Sequence, residues 1–159
     1  GVGNIGKKIF EMLMGFETIK YANDIKIINQ SFLKRHKIKQ VSKKKIFRES
    51  DILITASDLN KSSYHLINKK TLKLTKKNVL IVNISRGSLI DNNALIKFLE
   101  KNPHSGACLD VFENEPLKRN SKFLRLKNCM LTSHNAFNTY HEVEKTHTNT
   151  INNILKILR

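Results

Sequence analysis

A chain of 159 residues, 40% hydrophobic and 26% charged, is the size of one ordinary domain and rich enough in apolar side chains to build a core. That balance excludes disordered and fibrous classes. The formal net charge of +16 invites a nucleic-acid reading, but the excess is mostly lysine strung along the chain without interleaved aromatics, so it reads as a solvated surface.

The predicted elements alternate between helical and extended periodicity. Residues 4–14 place Ile5, Ile9, Met12 and Leu13 on one helical face. Residues 18–22 are short and β-prone, and residues 39–41 read as another strand. Residues 52–55 form a compact apolar run after Ser50-Asp51, the pattern of a strand buried on both faces. A short helix is predicted over 68–76. The clearest strand is 79–83. Asp91 is a natural N-cap for a helix that puts Ala94, Leu95, Phe98 and Leu99 on one face and ends at Lys101-Asn102-Pro103. Residues 106–111 and 130–132 are strand-like, and 139–158 form a long amphipathic helix. Short connections between alternating strands and helices imply right-handed crossovers. The expected fold class is therefore α/β, a Rossmann-type doubly wound parallel sheet with helices on both faces.

No apolar run approaches the roughly 18 residues of a membrane-spanning helix. Cys108 and Cys129 cannot make a disulfide framework, and their spacing matches no zinc motif. A cytoplasmic, reducing location is expected, with neither nucleic acid nor membrane as partner. His141 and Glu144 on the last helix could present a metal pair, but no third ligand follows, so no metal is expected.

Gly1-Val2-Gly3-Asn4-Ile5-Gly6 is a G-x-G-x-x-G run leading into a helix. In such a run the first glycine serves a tight turn, the second admits a pyrophosphate, and the third lets the helix pack closely. The phosphates then meet free N–H groups and the positive end of the helix dipole. Asp24 follows at about the 20-residue spacing of a ribose-binding acid. A carboxylate there accepts from the ribose hydroxyls and repels a 2′-phosphate, which favours NAD. Lys20 and Lys26 keep NADP open as the alternative.

Three further segments follow in order: Asn83-Ile84-Ser85-Arg86-Gly87, then Leu109-Asp110-Val111-Phe112-Glu113-Asn114-Glu115-Pro116, then Leu131-Thr132-Ser133-His134-Asn135-Ala136. With the glycine run, Ser50-Asp51-Ile52-Leu53 and Tyr64-His65-Leu66-Ile67-Asn68, they resemble the D-isomer-specific 2-hydroxyacid dehydrogenases over nearly the whole chain. The resemblance implies an NAD-dependent enzyme that interconverts a small 2-hydroxy acid and its 2-keto acid. It implies catalytic roles for Arg86, Glu115 and His134. Arg86 holds the substrate carboxylate and polarises the carbonyl, work suited to a planar, permanently charged fork. His134 is the general acid/base, since an imidazole titrates near neutrality. Glu115 orients that imidazole. Cofactor contacts are implied for Gly1, Gly3, Asn4, Ile5 and Gly6 at the pyrophosphate. Asp24 is implied at the adenosine ribose, Ile84 and Ser85 near the nicotinamide ribose, and Asp110 at the carboxamide.

Two departures stand out. Ala56-Ser57-Asp58 occupies a place where the family often carries histidine and proline, and Ser133 replaces the commoner proline before the histidine. The stretch 133–139 leans toward the phosphoglycerate dehydrogenase-like branch. An NAD(H)-sensing corepressor on the same fold is the competing function. His36, His65, His104, His141 and His147 show no comparable setting. The family places a strand before the glycine run, so the expectation is an N-terminally truncated dinucleotide-binding domain over 1–138. A helix over 139–159 returns toward a substrate domain. By itself such a piece is expected to be inactive and poorly stable, and the whole protein to be a homodimer.

Overall fold

The computed structural model describes residues 1–158; Arg159, the last residue of the predicted 139–159 segment, lies outside them. Six strands and six α-helices follow one another: α1 (Asn4–Met12), β1 (Lys20–Ala22), α2 (Gln30–Arg35), β2 (Ile38–Gln40), α3 (Lys43–Glu49), β3 (Ile52–Thr55), α4 (Lys69–Leu72), β4 (Leu80–Asn83), α5 (Asn92–Lys101), β5 (Gly106–Leu109), β6 (Cys129–Leu131) and α6 (Tyr140–Ile157). All strand pairs are parallel. β1 pairs with β2, and β3, β4, β5 and β6 form a second sheet in that order. This is the doubly wound α/β arrangement that the alternation of periods predicts.

Short polar residues start the helices. Asn29, Ser42, Asn68, Asp91 and Thr139 each accept a backbone N–H at the head of the helix they precede. Each so satisfies at least one of the orphan donors of a first turn. Asn68 and Thr71 do so reciprocally as a capping box. The helix predicted over 68–76 shrinks to a single turn, because Leu72 is the residue it buries. Helices α2 and α3 have no counterpart in the periodicity. They are six and seven residues long, too short for a helical pattern to repeat.

Two cores result. Val2, Ala22, Ile28, Leu33 and Ile38 pack around the β1–β2 pair, with Phe10 and Phe32 at the rim. The larger core lies on one face of the four-stranded sheet, where Leu53, Ile81, Ala107 and Leu109 meet Leu95 and Leu99 of α5. The run 52–55 departs from the expectation of burial on both faces. Leu53 and Thr55 are buried, whereas Ile52 and Ile54 are 57% and 38% exposed. The cause is the position of β3 at a sheet edge beside an open groove. That groove, about 1210 Å³, separates β1 from β3 and is lined in part by Val2, Ala22, Asp24, Ile52 and Ile54. No helix among the described residues is long and apolar enough to cross a membrane.

Register positions the functional end of the molecule. Thr55 pairs with Asn83, Asn83 with Leu109, and Leu109 with Leu131. The chain therefore leaves β3, β4, β5 and β6 in one row, at the carboxyl ends of the strands where open α/β sheets bind ligands.

Ile81 is fully buried in a central strand while Ile52 is half exposed at the edge. Ile81→Ala should lower the unfolding free energy by about 2–5 kcal/mol, and Ile52→Ala by less than about 1 kcal/mol, both read by chemical denaturation. Equal losses would mean that the edge strand is as tightly packed as the centre.

Candidate functional site

The glycine run wraps against the loop after β3. A Cβ on Gly1 would strike the Ala56 carbonyl and one on Gly6 the carbonyl of Gly1, whereas nothing lies within 4 Å of a Cβ on Gly3. None of the glycines has a positive φ. The first and third are thus demanded by close packing rather than by left-handed backbone, and the second leaves open space. Gly3 is also the N-cap of α1, where no side chain accepts a helix N–H. The other five α-helices among the described residues all have a side-chain cap. An anion at Asn4 and Ile5 would supply the missing acceptor and meet the helix dipole. The residues present therefore fit a dinucleotide pyrophosphate.

Asp24 lies just past the end of β1 and is tied to the glycine run. Its Oδ2 accepts from the Val2 N–H at 2.6 Å and its Oδ1 from the Lys26 N–H at 2.8 Å. Burial opposes its ionisation, but the N–H groups of Lys26 and Val2 hold the carboxyl below the usual range. An ionised, fixed acceptor is what a ribose diol requires.

The turn after β4 is built on Asn83, which is fully buried. Its Oδ1 accepts from the Thr55 hydroxyl at 2.8 Å and from the Ser85 N–H at 3.1 Å, and its Nδ2 donates to the Arg86 carbonyl at 3.0 Å. Ser85 donates its hydroxyl to the Thr55 carbonyl at 2.9 Å, while Ile84 lines a small cavity with Asp110, Asn135 and Ala136. Arg86 is exposed, with Nη1 donating to the Ser85 carbonyl at 2.7 Å. Gly87 is pressed so tightly against Phe112 that a Cβ would overlap the Phe112 carbonyl. The arginine turn and the acidic segment are thus in direct contact.

His134 and Glu115, on different loops, meet directly. His134 Nδ1 lies 2.7 Å from Glu115 Oε2, and Glu115 Oε1 accepts from the Phe112 N–H at 2.8 Å. Burial opposes the ionisation of Glu115, but the Phe112 N–H and His134 hold its carboxyl below the usual range. An ionised carboxylate can only accept, so Nδ1 carries the hydrogen of the neutral ring and Nε2 is left to exchange a proton.

His134 has φ +57, a left-handed conformation that is uncommon for a residue with a Cβ. Asp110 holds it there. Its Oδ1 accepts from the Thr132 hydroxyl and from the Asn135 N–H at 3.0 Å, and its Oδ2 from the Ala136 N–H at 3.0 Å. Burial works against the charge of Asp110, but these donors, Thr132 foremost, keep the carboxyl below its ordinary range. The family resemblance implies a carboxamide contact for Asp110; in the structure both of its oxygens already bind the loop that carries His134.

Sequence reasoning missed three features. Asn83 ends an apolar run in a fully polar side chain, which was a readable signal. The anchoring role of Asp110 was not, because its partners lie more than 20 positions away. His65, grouped by sequence with the histidines of no special setting, has one: its Nε2 pairs with Glu113 Oε1 at 2.5 Å, across 48 positions. No local pattern joins those two residues.

Asp110→Asn removes the charge and at least one acceptor, for a loss of about 1.5–3 kcal/mol at neutral pH. A depressed folded-state pKa contributes stability that is complete above the unfolded value and disappears as pH falls through the folded one. The gap in Tm between wild type and variant should hold from pH 7 to 5 and close below about pH 4. Thermal melts across that range measure it, and a gap that widens in acid would contradict the assignment.

Residues 1–136 match the domain described as "D-isomer specific 2-hydroxyacid dehydrogenase, NAD binding domain". Over 140 residues the chain is 36% identical to a glyoxylate reductase of Pyrococcus horikoshii, an alignment taking in 84% of this chain and 40% of that protein. The apo structure of D-lactate dehydrogenase from Escherichia coli superposes with a TM-score of 0.87 at 30% identity, over 99% of this chain and 49% of that one. A D-lactate dehydrogenase from Aquifex aeolicus, solved with NAD and lactic acid, reaches a TM-score of 0.91 over 99% of this chain and 51% of that one; at 24% identity this likeness shows the fold alone. The chain spans about half the length of these proteins or less. A row of strand ends carrying a dinucleotide cradle on one side and a histidine–carboxylate pair on the other, matched over 136 residues, makes this chain a member of the D-isomer-specific 2-hydroxyacid dehydrogenases, of which it carries the NAD-binding domain.

Proposed function

We propose that the chain supplies the cofactor site and the proton-transfer residues of an NAD-dependent oxidoreductase that interconverts a D-2-hydroxy acid and its 2-keto acid. The observation that carries this reading is the 2.7 Å contact between His134 and Glu115, set beside the Arg86 turn on the row of strand ends. In this reading Gly1, Gly3, Asn4, Ile5 and Gly6 hold the pyrophosphate, Asp24 the adenosine ribose, and Ile84 and Ser85 border the nicotinamide side. When bound, the reduced cofactor supplies the hydride that adds to C2 of the keto acid. Arg86 binds the substrate carboxylate and draws electron density from the carbonyl oxygen. His134 delivers a proton from Nε2 to that oxygen as the C2–O bond becomes single, and takes it back in the oxidative direction. Glu115 stabilises the imidazolium.

The relatives lend support to a substrate class. Glyoxylate reductases and D-lactate dehydrogenases are named among them, which supports a short 2-keto acid. The lean toward 3-phosphoglycerate rests on residues 133–139 alone. The same reading carries a domain boundary near residue 138, a homodimer and a cytoplasmic location.

The natural protein at full length should oxidise NADH when given glyoxylate, pyruvate or a related 2-keto acid. His134→Gln should lower kcat by about 10²- to 10⁴-fold with NADH affinity unchanged. Arg86→Lys should chiefly raise KM for the keto acid, since a lysine keeps the charge but loses the bidentate fork. Tight NADH binding without turnover of any acid tested would favour the NAD(H) sensor instead.

A further inference from the structure

A second histidine–carboxylate pair sits behind the first. Glu113 lies two residues before Glu115 in the same loop but faces the other way. Its Oε1 meets His65 Nε2 at 2.5 Å, and its Oε2 accepts from the Asn92 N–H at 3.0 Å. Asn92 opens α5, so the carboxylate also lies at the positive end of that helix. Both side chains are about a quarter exposed, which screens the pair less than a surface ion pair.

His65 is itself firmly placed. It holds a left-handed backbone at φ +47 and stacks on Tyr64 with ring centroids 4.0 Å apart. Its N–H donates to the Ser88 carbonyl at 2.9 Å, and its carbonyl accepts from Asn68 Nδ2 at 2.7 Å. Two residues on, Ile67 exchanges backbone hydrogen bonds with Leu89 and Asp91 at 3.0 and 2.8 Å. The loop of His65 and the turn of Arg86 are therefore zipped into one unit. Among the described residues, Glu113 adds side-chain hydrogen bonds between this unit and the loop of Glu115 to the backbone bond from the Asp110 N–H to the Asn83 carbonyl at 3.0 Å. Gly87 against Phe112 is the packing contact beneath that tie.

We propose that His65 and Glu113 are positioning residues that set the spacing between Arg86 and the pair of His134 and Glu115. The inference rests on the dehydrogenase reading for its consequence, and on geometry alone for the clamp itself. One group grips the carboxylate of the substrate and the other gives a proton to its carbonyl oxygen, from separate loops. Proton transfer is productive only when both are satisfied in one pose, and a shift of about 1 Å can cost on the order of 10²-fold in rate. Glu113 transmits no proton and touches no substrate; it holds two loops at one separation.

The test uses the natural protein at full length. Glu113→Ala should lower kcat/KM for the keto acid about 10- to 100-fold, raise KM for the acid, and leave the Kd for NADH within about twofold of wild type. His65→Ala should match it. The double variant should be no worse than either single one, because the two act as a unit. Glu113→Gln should recover most of the loss, since its amide oxygen still accepts from Asn92 and its NH2 can donate to His65. Hydrogen exchange at the amides of Phe112 and Asn92 should quicken in Glu113→Ala and not in Glu113→Gln, a readout that needs no turnover. Additive losses, or a Gln variant as poor as Ala, would overturn the proposal. If wild type reduces no 2-keto acid, the dehydrogenase reading falls, and exchange still decides the clamp: unchanged protection in Glu113→Ala overturns it.

Discussion

A buried carboxylate with three donors around it organises the working end of this domain. Asp110 leaves β5 at the point where Leu109 pairs with Leu131 of β6, and it captures the hydroxyl of Thr132 and the N–H groups of Asn135 and Ala136. Hydrogen bonds to a charged acceptor out of water are among the stronger interactions a fold can make. They offset the cost of holding His134 in a left-handed conformation, and that conformation turns the imidazole toward Glu115. Asp110 fixes the backbone of the loop, and Glu115 holds the ring at Nδ1.

The same device recurs along the row of strand ends. Asp24 binds the glycine run to the end of β1, Glu115 accepts from the Phe112 N–H, and Glu113 joins α5 to the loop of His65. A chain with 29 basic and 13 acidic residues thus concentrates several of its few acids where loops must be held. Each acid is bound by backbone N–H groups, which do not rearrange as side chains do.

Much of this end was legible in the chain. The glycine run, Asp24, Arg86, Glu115 and His134 each sit in short motifs whose residue types serve a definite chemistry, and the alternation of periods gave the parallel sheet that gathers them. The less legible parts have physical reasons. The six- and seven-residue helices α2 and α3 are too short for a repeat. The strand at 52–55 reads as wholly apolar, yet lies at an edge where alternate side chains face a groove. The first glycine of the run answers to the Ala56 carbonyl rather than to a left-handed turn, and a pattern search sees only the glycine.

Local information, by itself, determined most of the element types, the helix caps and the motifs that carry the candidate groups, because these depend on neighbours within a few positions. The family resemblance pairs Glu115 with His134, whereas tertiary structure alone decided the partner of Glu113. Glu113 and Glu115 are two acids in one loop, and the motif singles out only Glu115. The chain bends over residues 113–116, and the fold places His65 beside the one acid and His134 beside the other. Those partners lie 48 and 19 positions away, and only the pairing of strand ends brings them within a hydrogen bond.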